Sequence, residues 1–319
     1  MVQRILEPGQ IETLAQRSIP RIRLPDRTQL FARRAARLRQ LAPDVAIGDY
    51  LQLISAVADA QHKALTNFVE VAPDNVQLAN AAEHRMPPIH ATSRARPPQW
   101  RAVLDGICAD IAARDGFPPA VASIIARIRD APGEWIEKQA DGLLAARHEI
   151  VEPAVAPMLM AALQVCWVAL SSGFIADKVS MLDVAGVCPL CGSLPVASIV
   201  CTSSPYQGYR YLHCSLCAAE WHMVRVQCSH CGAVGKSIGY HHLDSNSNDK
   251  GNGEQGQTAV RAESCEQCHG YRKIVYQEID PEVEPLADDL ASLALDLLLS
   301  EHGYHRASGN PMLWHSAEI

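Results

Sequence analysis

The sequence predicts a mainly α-helical N-terminal bundle, then two small β modules built on paired cysteines, then a closing C-terminal helix. Three observations carry that expectation. Residues 1–184 repeat apolar side chains at helical spacing and hold two of the eleven cysteines, Cys108 and Cys166. Beyond residue 185 the pattern changes to short alternating runs, glycines and four Cys-x-x-Cys pairs, at 188/191, 214/217, 228/231 and 265/268. Near the end, "EIDPEVEPLADDLASLALDLLLSEHGYHR" (278–306) begins acidic, as a helix dipole favours, and continues with leucines at helical spacing. The expected division is 1–184 helical, 185–226 first module, 227–280 second module and 281–319 C-terminal helix packing back on the fold.

In the first part, "TQLFARRAARLRQLA" (28–42) is periodic and stops at Pro43. Segment 46–68 places Leu51, Ile54, Val57, Ala58, Leu65 and Phe68 on or near one face. Segments 99–114, 118–130, 132–148 and 154–178 follow, several with prolines near the first turn, where a missing N–H costs nothing. A bundle of about six helices buries these faces. Residues 72–98, including "RMPPIHATSRARPPQ", give little helical signal and are expected as a connector. Between Arg17 and Arg39 stand eight arginines and one acid, Asp26. This is either a solvated helix face or a docking surface for an acidic partner. In the closing segment, Leu286, Leu290, Leu293 and Leu297 form one stripe, expected to clamp the modules against the bundle.

Composition excludes several classes. An apolar fraction of 48% with 20% charged residues belongs to a globular chain, and the net charge of −7 disfavours bulk nucleic acid or an anionic membrane as partner. "MVQRILEPGQIETLAQ" has no apolar run of the export type. The most apolar stretch, 154–170, is short for a bilayer span and carries Pro157 and Gln164, so a buried core helix is expected. A cytoplasmic protein without direct membrane insertion follows. In a reducing cytosol, paired cysteines are metal ligands or redox thiols before they are disulfides.

The pairs resolve when the region is aligned against itself. One unit reads "CPLCGSLPVASIV", an insert, then "GYRYLHCSLCAAEWHMVRVQ"; the next reads "CSHCGAVGKSIGYHHL", a polar insert, then "AVRAESCEQCHGYRKIVYQE". Each is Cys-x-x-Cys-Gly, a strand, a loop, a strand, Cys-x-x-Cys and an aromatic strand. Gly192 and Gly232 follow the leading pairs because a cysteine knuckle curls its backbone toward positive φ. Two facing knuckles offer four thiolates as a tetrahedron, which suits zinc or mononuclear iron. Cys188, Cys191, Cys214 and Cys217 are therefore expected to hold one ion, and Cys228, Cys231, Cys265 and Cys268 a second. A cross-braced grouping would break the repeat. The modules are thus rubredoxin-like or zinc-ribbon-like. Cys108, Cys166 and Cys201 are expected as inert core thiols. None of His213, His230, His241, His242 and His269 is expected to ligate; His230 and His269, next to ligand cysteines, are expected to tune the sulfurs' charge. The insert 244–258 has the composition of a loop tip.

Nucleic-acid binding, common for zinc ribbons, needs clustered positive charge. Residues 185–280 carry seven Lys/Arg against eight Asp/Glu. A redox or electron-transfer protein is the other alternative, since four thiolates around iron cycle between two oxidation states. No phosphate loop, nucleophile elbow or dinucleotide fingerprint is present, so no catalytic residue is expected.

The segments "CPLCGSLPVAS", "RYLHCSLCAAEWHMVRVQCSHCG" and "AESCEQCHGYRK" resemble those of the formate dehydrogenase accessory protein family, FdhE. The likeness extends over most of the chain, through the helical part and "LADDLASLALDLLLSEHGYHR". The resemblance implies a chaperone-like maturation factor, not an enzyme, needed for active respiratory formate dehydrogenase. That molybdenum enzyme's folded catalytic subunit leaves by the twin-arginine route, and it is the partner implied, met in the cytoplasm. The resemblance also implies iron in two mononuclear rubredoxin-like sites, with zinc as the alternative occupant. It leaves a homo-oligomer open.

Overall fold

The computed structural model describes residues 19–69, 75–203, 206–243 and 258–314. The first part is helical: α1 (Leu30–Leu41), α2 (Gly48–Thr66), α3 (Asn75–Glu83), α4 (Trp100–Ala112), α5 (Pro119–Arg129), α6 (Gly133–Leu144) and α7 (Ala156–Ser172). Helix α7 is apolar on every side and buried nearly end to end, with α2, α4 and α6 packed around it. It is the core helix expected of 154–170. Among the described residues no helix is long and apolar enough to cross a membrane. Helix α3 departs from the expected connector. Its "NVQLANAAE" holds good helix formers, and Pro73 and Pro87 bracket the run rather than interrupt it.

After the bundle come β2 (Pro195–Val200), β3 (Arg210–Cys214), β4 (Glu220–Met223), β5 (Ile238–His241), β6 (Val260–Cys265) and β7 (Gly270–Tyr276). With β1 (Ile22–Arg23) and β8 (His305–Arg306) they form one sheet in the order β1-β4-β3-β2-β7-β6-β5, with β8 beside β7. Within each repeat unit the strands are antiparallel. The units join where β2 lies parallel to β7, pairing Ser198 with Ile274 and Val200 with Tyr276. The second unit is therefore the first one stepped along the sheet, 4-3-2 followed by 7-6-5. The sequence suggests two separate modules; the structure makes their sheet continuous. β2 is buried along its whole length, so its free edge needs a partner, which β7 supplies.

The closing helix is two helices, α8 (Pro285–Ala291) and α9 (Leu293–Glu301), broken at Ser292. The Ser292 hydroxyl donates to the Asp288 carbonyl at 2.7 Å and the Asp289 carbonyl at 3.3 Å, taking acceptors a continuing helix would use. The break changes the expected stripe. Leu286 and Leu290 face inward as expected, but Leu295 and Leu299 are then buried while Leu297 is 68% exposed. Helix α8 packs on α1 and on β2, so the closing segment does return to the bundle.

The arginine-rich stretch fits neither expected role at its centre. Arg34 is buried, and its Nε and Nη2 donate to Glu284 Oε1 at 3.0 and 2.9 Å. Buried Arg37 meets Asp288 at 2.6 Å and Asp280 at 2.7 Å. These side chains lie on the face of α1 turned to α8, so they bind the two ends of the chain together. Arg23 pairs with Glu220, Arg39 with Asp59, and Arg27 donates to the Leu65 and Phe68 carbonyls. Arg33 remains exposed, and Arg17 lies outside the described residues. A second set ties the sheet together: buried Arg210 pairs across the two units with Glu263 at 2.9 Å, while Lys273 on β7 pairs with Asp296 at 2.6 Å and Arg306 on β8 with Asp289 at 2.6 Å, both in the closing helices.

Candidate metal centres

Each leading knuckle sits just before the first strand of its unit, and each closing knuckle joins the second strand to the third. The Cys188 N–H donates to the Ser193 carbonyl, and Gly192 N–H to the Cys188 carbonyl. In the second unit Cys228 N–H donates to Ala233 and Gly232 N–H to Cys228. The curl ends in positive φ, +76° at Gly192 and +80° at Gly232, as the sequence indicates. The closing knuckles repeat the geometry on residues that resist it, with φ of +56° at Ala218 and +53° at His269. The signal there is positional, since both occupy the place glycine takes after a leading pair.

The knuckles face each other within each unit, and the cross-braced grouping does not occur. Sγ atoms of Cys188 and Cys217 lie 3.5 Å apart, and those of Cys191 and Cys214 3.4 Å apart. In the second group Cys228 and Cys268 are 3.8 Å apart, Cys231 and Cys265 3.6 Å. All four sulfurs of each group lie within 4.8 Å of one another. A tetrahedral ion with metal–sulfur bonds of about 2.3 Å has sulfur–sulfur edges of about 3.8 Å. A disulfide would be about 2.05 Å. The spacing fits two mononuclear four-thiolate sites, and the donor set accepts zinc or iron.

Electrostatics point the same way. Burial, with Cys191 and Cys214 beside it, pushes the Cys188 thiol well up, and burial among the same neighbours raises Cys217. Against that burial, hydrogen bonds from Cys188, Cys214 and Cys217 hold Cys191 well down. Packed thiols of this kind compete for one negative charge, and a divalent cation removes the competition. Amides help: Cys217 N–H points at Cys214 Sγ and His230 N–H at Cys228 Sγ, each 3.4 Å away.

The two groups differ in depth. In the first, all four cysteines are buried within the main core, alongside Leu190 and Trp221. In the second, Cys228 and Cys265 are buried, Cys268 is half-buried and Cys231 is exposed. Helix α7 serves the first group directly. Ser171 Oγ donates to the Cys217 carbonyl at 3.1 Å and Gln164 Nε2 to the Ser215 carbonyl at 2.7 Å. A strap before α4 completes the cover, with Ile89 N–H to the Leu190 carbonyl and Ala91 N–H to the Cys191 carbonyl. Nothing in "PPIHA" announces that pairing, which depends on residues a hundred positions later.

Of the remaining cysteines, Cys108 and Cys166 are buried, and burial lifts their thiols to about 11 and about 12. Cys201 is buried too, but it accepts from Arg23 Nη1 at 2.8 Å. No imidazole joins either four-sulfur group among the described residues. His213 is held by Glu220 at 3.0 Å and His241 by Ser264 at 2.9 Å. Three of the basic residues counted against nucleic acid, Arg210, Arg272 and Lys273, are buried and so lost to any phosphate-binding surface. The polar insert lies outside the described residues except for Thr258.

Comparison with known proteins covers nearly the whole chain. Three family models match in succession: "FdhE, N-terminal" over residues 19–183, "FdhE, central domain" over 187–225 and "FdhE, C-terminal domain" over 226–313. A protein named FdhE homolog from Pseudomonas aeruginosa is 39% identical, covering 98% of each chain. Homologs of that name from Stutzerimonas stutzeri and Cronobacter sakazakii are each 37% identical over 98% of this chain, covering 98% and 97% of theirs. A crystal structure of the FdhE protein from Pseudomonas aeruginosa aligns with a TM-score of 0.79 at 37% identity, covering 92% of this chain and 99% of that one.

Proposed function

The chain belongs to the FdhE family, and from that premise we propose that it is an accessory factor in the maturation of formate dehydrogenase. It acts as a chaperone on that enzyme's catalytic subunit and catalyses no reaction itself. The observation that carries this reading is the pair of four-cysteine groups, set on one tandem sheet in a chain that FdhE relatives match along nearly its whole length. In this reading Cys188, Cys191, Cys214 and Cys217 hold one ion, and Cys228, Cys231, Cys265 and Cys268 the other. Iron is the occupant the family implies, and zinc fits the same donors.

Four thiolates fill the coordination of a mononuclear ion, so a bound metal supplies a crosslink between knuckles and, as iron, a one-electron change. The protein's own residues do the rest. Trp221, whose Nε1 donates to the Ala185 carbonyl at 2.7 Å, helps exclude water from the first site. Amides aimed at Cys214 and Cys228 stabilise the thiolate charge. Thiols stay reduced in a reducing compartment, which supports a cytoplasmic setting for this work. The client is met beside the second site, where exposed Val224 and Val226, in the connection leaving β4, and exposed Val234 lie on either side of the knuckle that carries Cys231.

The test is capture of the catalytic subunit of formate dehydrogenase by the full chain, alongside a formate oxidation assay of the chain alone. Capture that falls in a Val226→Glu, Val234→Glu variant, with no formate turnover, is the expected result. Turnover by the isolated chain, or no capture of the subunit, would remove the reading.

A further inference from the structure

The two four-cysteine groups share a repeat and a coordination geometry but not a surrounding. Around the first, each knuckle is tied to the helical bundle: the Cys191 and Leu190 carbonyls by the strap at Ile89 and Ala91, the Ser215 and Cys217 carbonyls by α7. Trp167 on α7 holds the strap itself, its Nε1 donating to the Ile89 carbonyl at 3.0 Å. Opening this site means detaching the strap or lifting a knuckle from a central helix, which disturbs the main core.

The second group has no such cover among the described residues. Cys231 is exposed and Cys268 half-buried; Arg272 Nε donates to Ser229 Oγ at 2.8 Å on the leading knuckle, and the closing knuckle is held by the C-terminal segment rather than the bundle, with Tyr304 Oη donating to Glu266 and His305 N–H to the His269 carbonyl. The core beneath is a small cluster of Ala262, Tyr271, Leu295 and Leu299. Imidazoles stand at its rim. A Cβ on Gly270 would lie 3.3 Å from Cys268 Sγ and 3.8 Å from both His230 and His305, so these two exposed side chains and the thiol border one small space. Imidazole is a ligand of the borderline metals that thiolate sites take, and it can hold an ion while a thiolate leaves.

Resting on the reading that both groups hold metal, we propose that the second site is the exchangeable one. Its ion enters and leaves past Cys231 and Cys268, with His230 and His305 as transient ligands, while the first site retains its ion as part of the core. Release is ligand substitution without change of oxidation state: each thiolate–metal bond is replaced by a bond to the incoming ligand, and the freed thiolates take up protons from water.

The experiment uses the full chain loaded with zinc, its metal content measured first, then mixed with an excess of a chromogenic pyridylazo chelator. Two phases of one equivalent each are expected, the first at least about tenfold faster, a ratio that corresponds to the cheaper local opening. Iodoacetamide added during the fast phase, followed by peptide mass spectrometry, should find Cys231 and Cys268 labelled before Cys188, Cys191, Cys214 or Cys217. His230→Ala with His305→Ala should slow the fast phase alone. Two equivalents leaving in one phase, first-group cysteines labelled first, or a fast phase indifferent to the histidines would overturn the inference and leave the metal reading intact. A zinc-loaded chain that carries no metal after gel filtration would overturn the metal reading beneath it.

Discussion

Replacing Arg34 by Met measures what fastens the two ends of the chain. The guanidinium makes two hydrogen bonds to Glu284 Oε1, and both side chains are almost wholly withdrawn from water. Glu284 is used twice, because its other oxygen accepts from Ala287 N–H at 2.7 Å and caps α8. Burial alone would raise the Glu284 pKa, yet Arg34, with His213, keeps it below the ordinary carboxylate value. Methionine fills much of the arginine's volume but leaves that carboxylate buried without its cation, which costs about 3–5 kcal/mol. Unfolding entropy near 2.1 cal/mol/K per residue, over 319 residues, makes 1 kcal/mol worth about 1.5 °C. Scanning calorimetry should therefore show Tm lower by about 5–7 °C. Glu284→Gln keeps an acceptor for Ala287 while removing the charge, so the double variant should be less destabilised than the sum of the singles by about 1–3 kcal/mol. Arg33→Met, one residue away and exposed, should stay within about 0.5 kcal/mol of the parent. A Tm change under about 1 °C for Arg34→Met, or additive effects in the cycle, would refute the buried pair as the fastening.

Metal loss should unfold the protein in stages. Since the first group belongs to the same buried cluster as α4 and α7, far-UV ellipticity should survive release of one equivalent and fall with the second; helical signal that outlasts both would contradict this. Gly192→Ala should destabilise more than Gly232→Ala by about 1 kcal/mol in chemical denaturation. Both sites have positive φ, but a Cβ at 192 meets His90 and Pro87 at 3.1–3.3 Å, whereas at 232 the nearest atom is 4.0 Å away. Equal losses would place the cost in the backbone alone. Against the effect of burial, Arg306 and Lys273 hold the Asp289 carboxyl below its ordinary pKa. Its pairing contributes stability fully present above about pH 4 and lost as pH falls through the lower folded value. The Tm gap between the parent and Asp289→Asn should accordingly narrow from about pH 6 to about pH 3, and a gap that widens would reverse the assignment.

The grouping of the eight cysteines was legible because ligand spacing and the repeat are local patterns, and a knuckle's curl is set within five residues. Helix α7 was legible for a similar reason, as the apolar run 154–170 with Pro157 in the helix's first turn and a single polar side chain, Gln164, that has a buried role. The break at Ser292 was not, since a leucine stripe continues through it and the hydroxyl's choice of acceptors decides the turn. Arg34 and Arg37 read as surface charge because their partners, Glu284 and Asp288, look like ordinary acids of a helix start. The unequal depth of the two metal groups was equally hidden. The same Cys-x-x-Cys pairs in both units give no hint that one group lies under α7 and the strap at Ile89 while the other faces outward.

The long reach between Arg34 and Glu284 also sets a timetable. They are 250 residues apart, and Arg37 is 251 from Asp288. A ribosome moving at about 5–20 residues per second needs about 12–50 s to make the intervening chain. Throughout that interval α1 carries two guanidinium groups whose counter-charges do not yet exist. The last of the eight cysteines, Cys268, is synthesised before Glu284, so every thiol for both ions precedes the closing helix. Docking of that helix on α1 therefore begins only after the cysteine-bearing middle has been made.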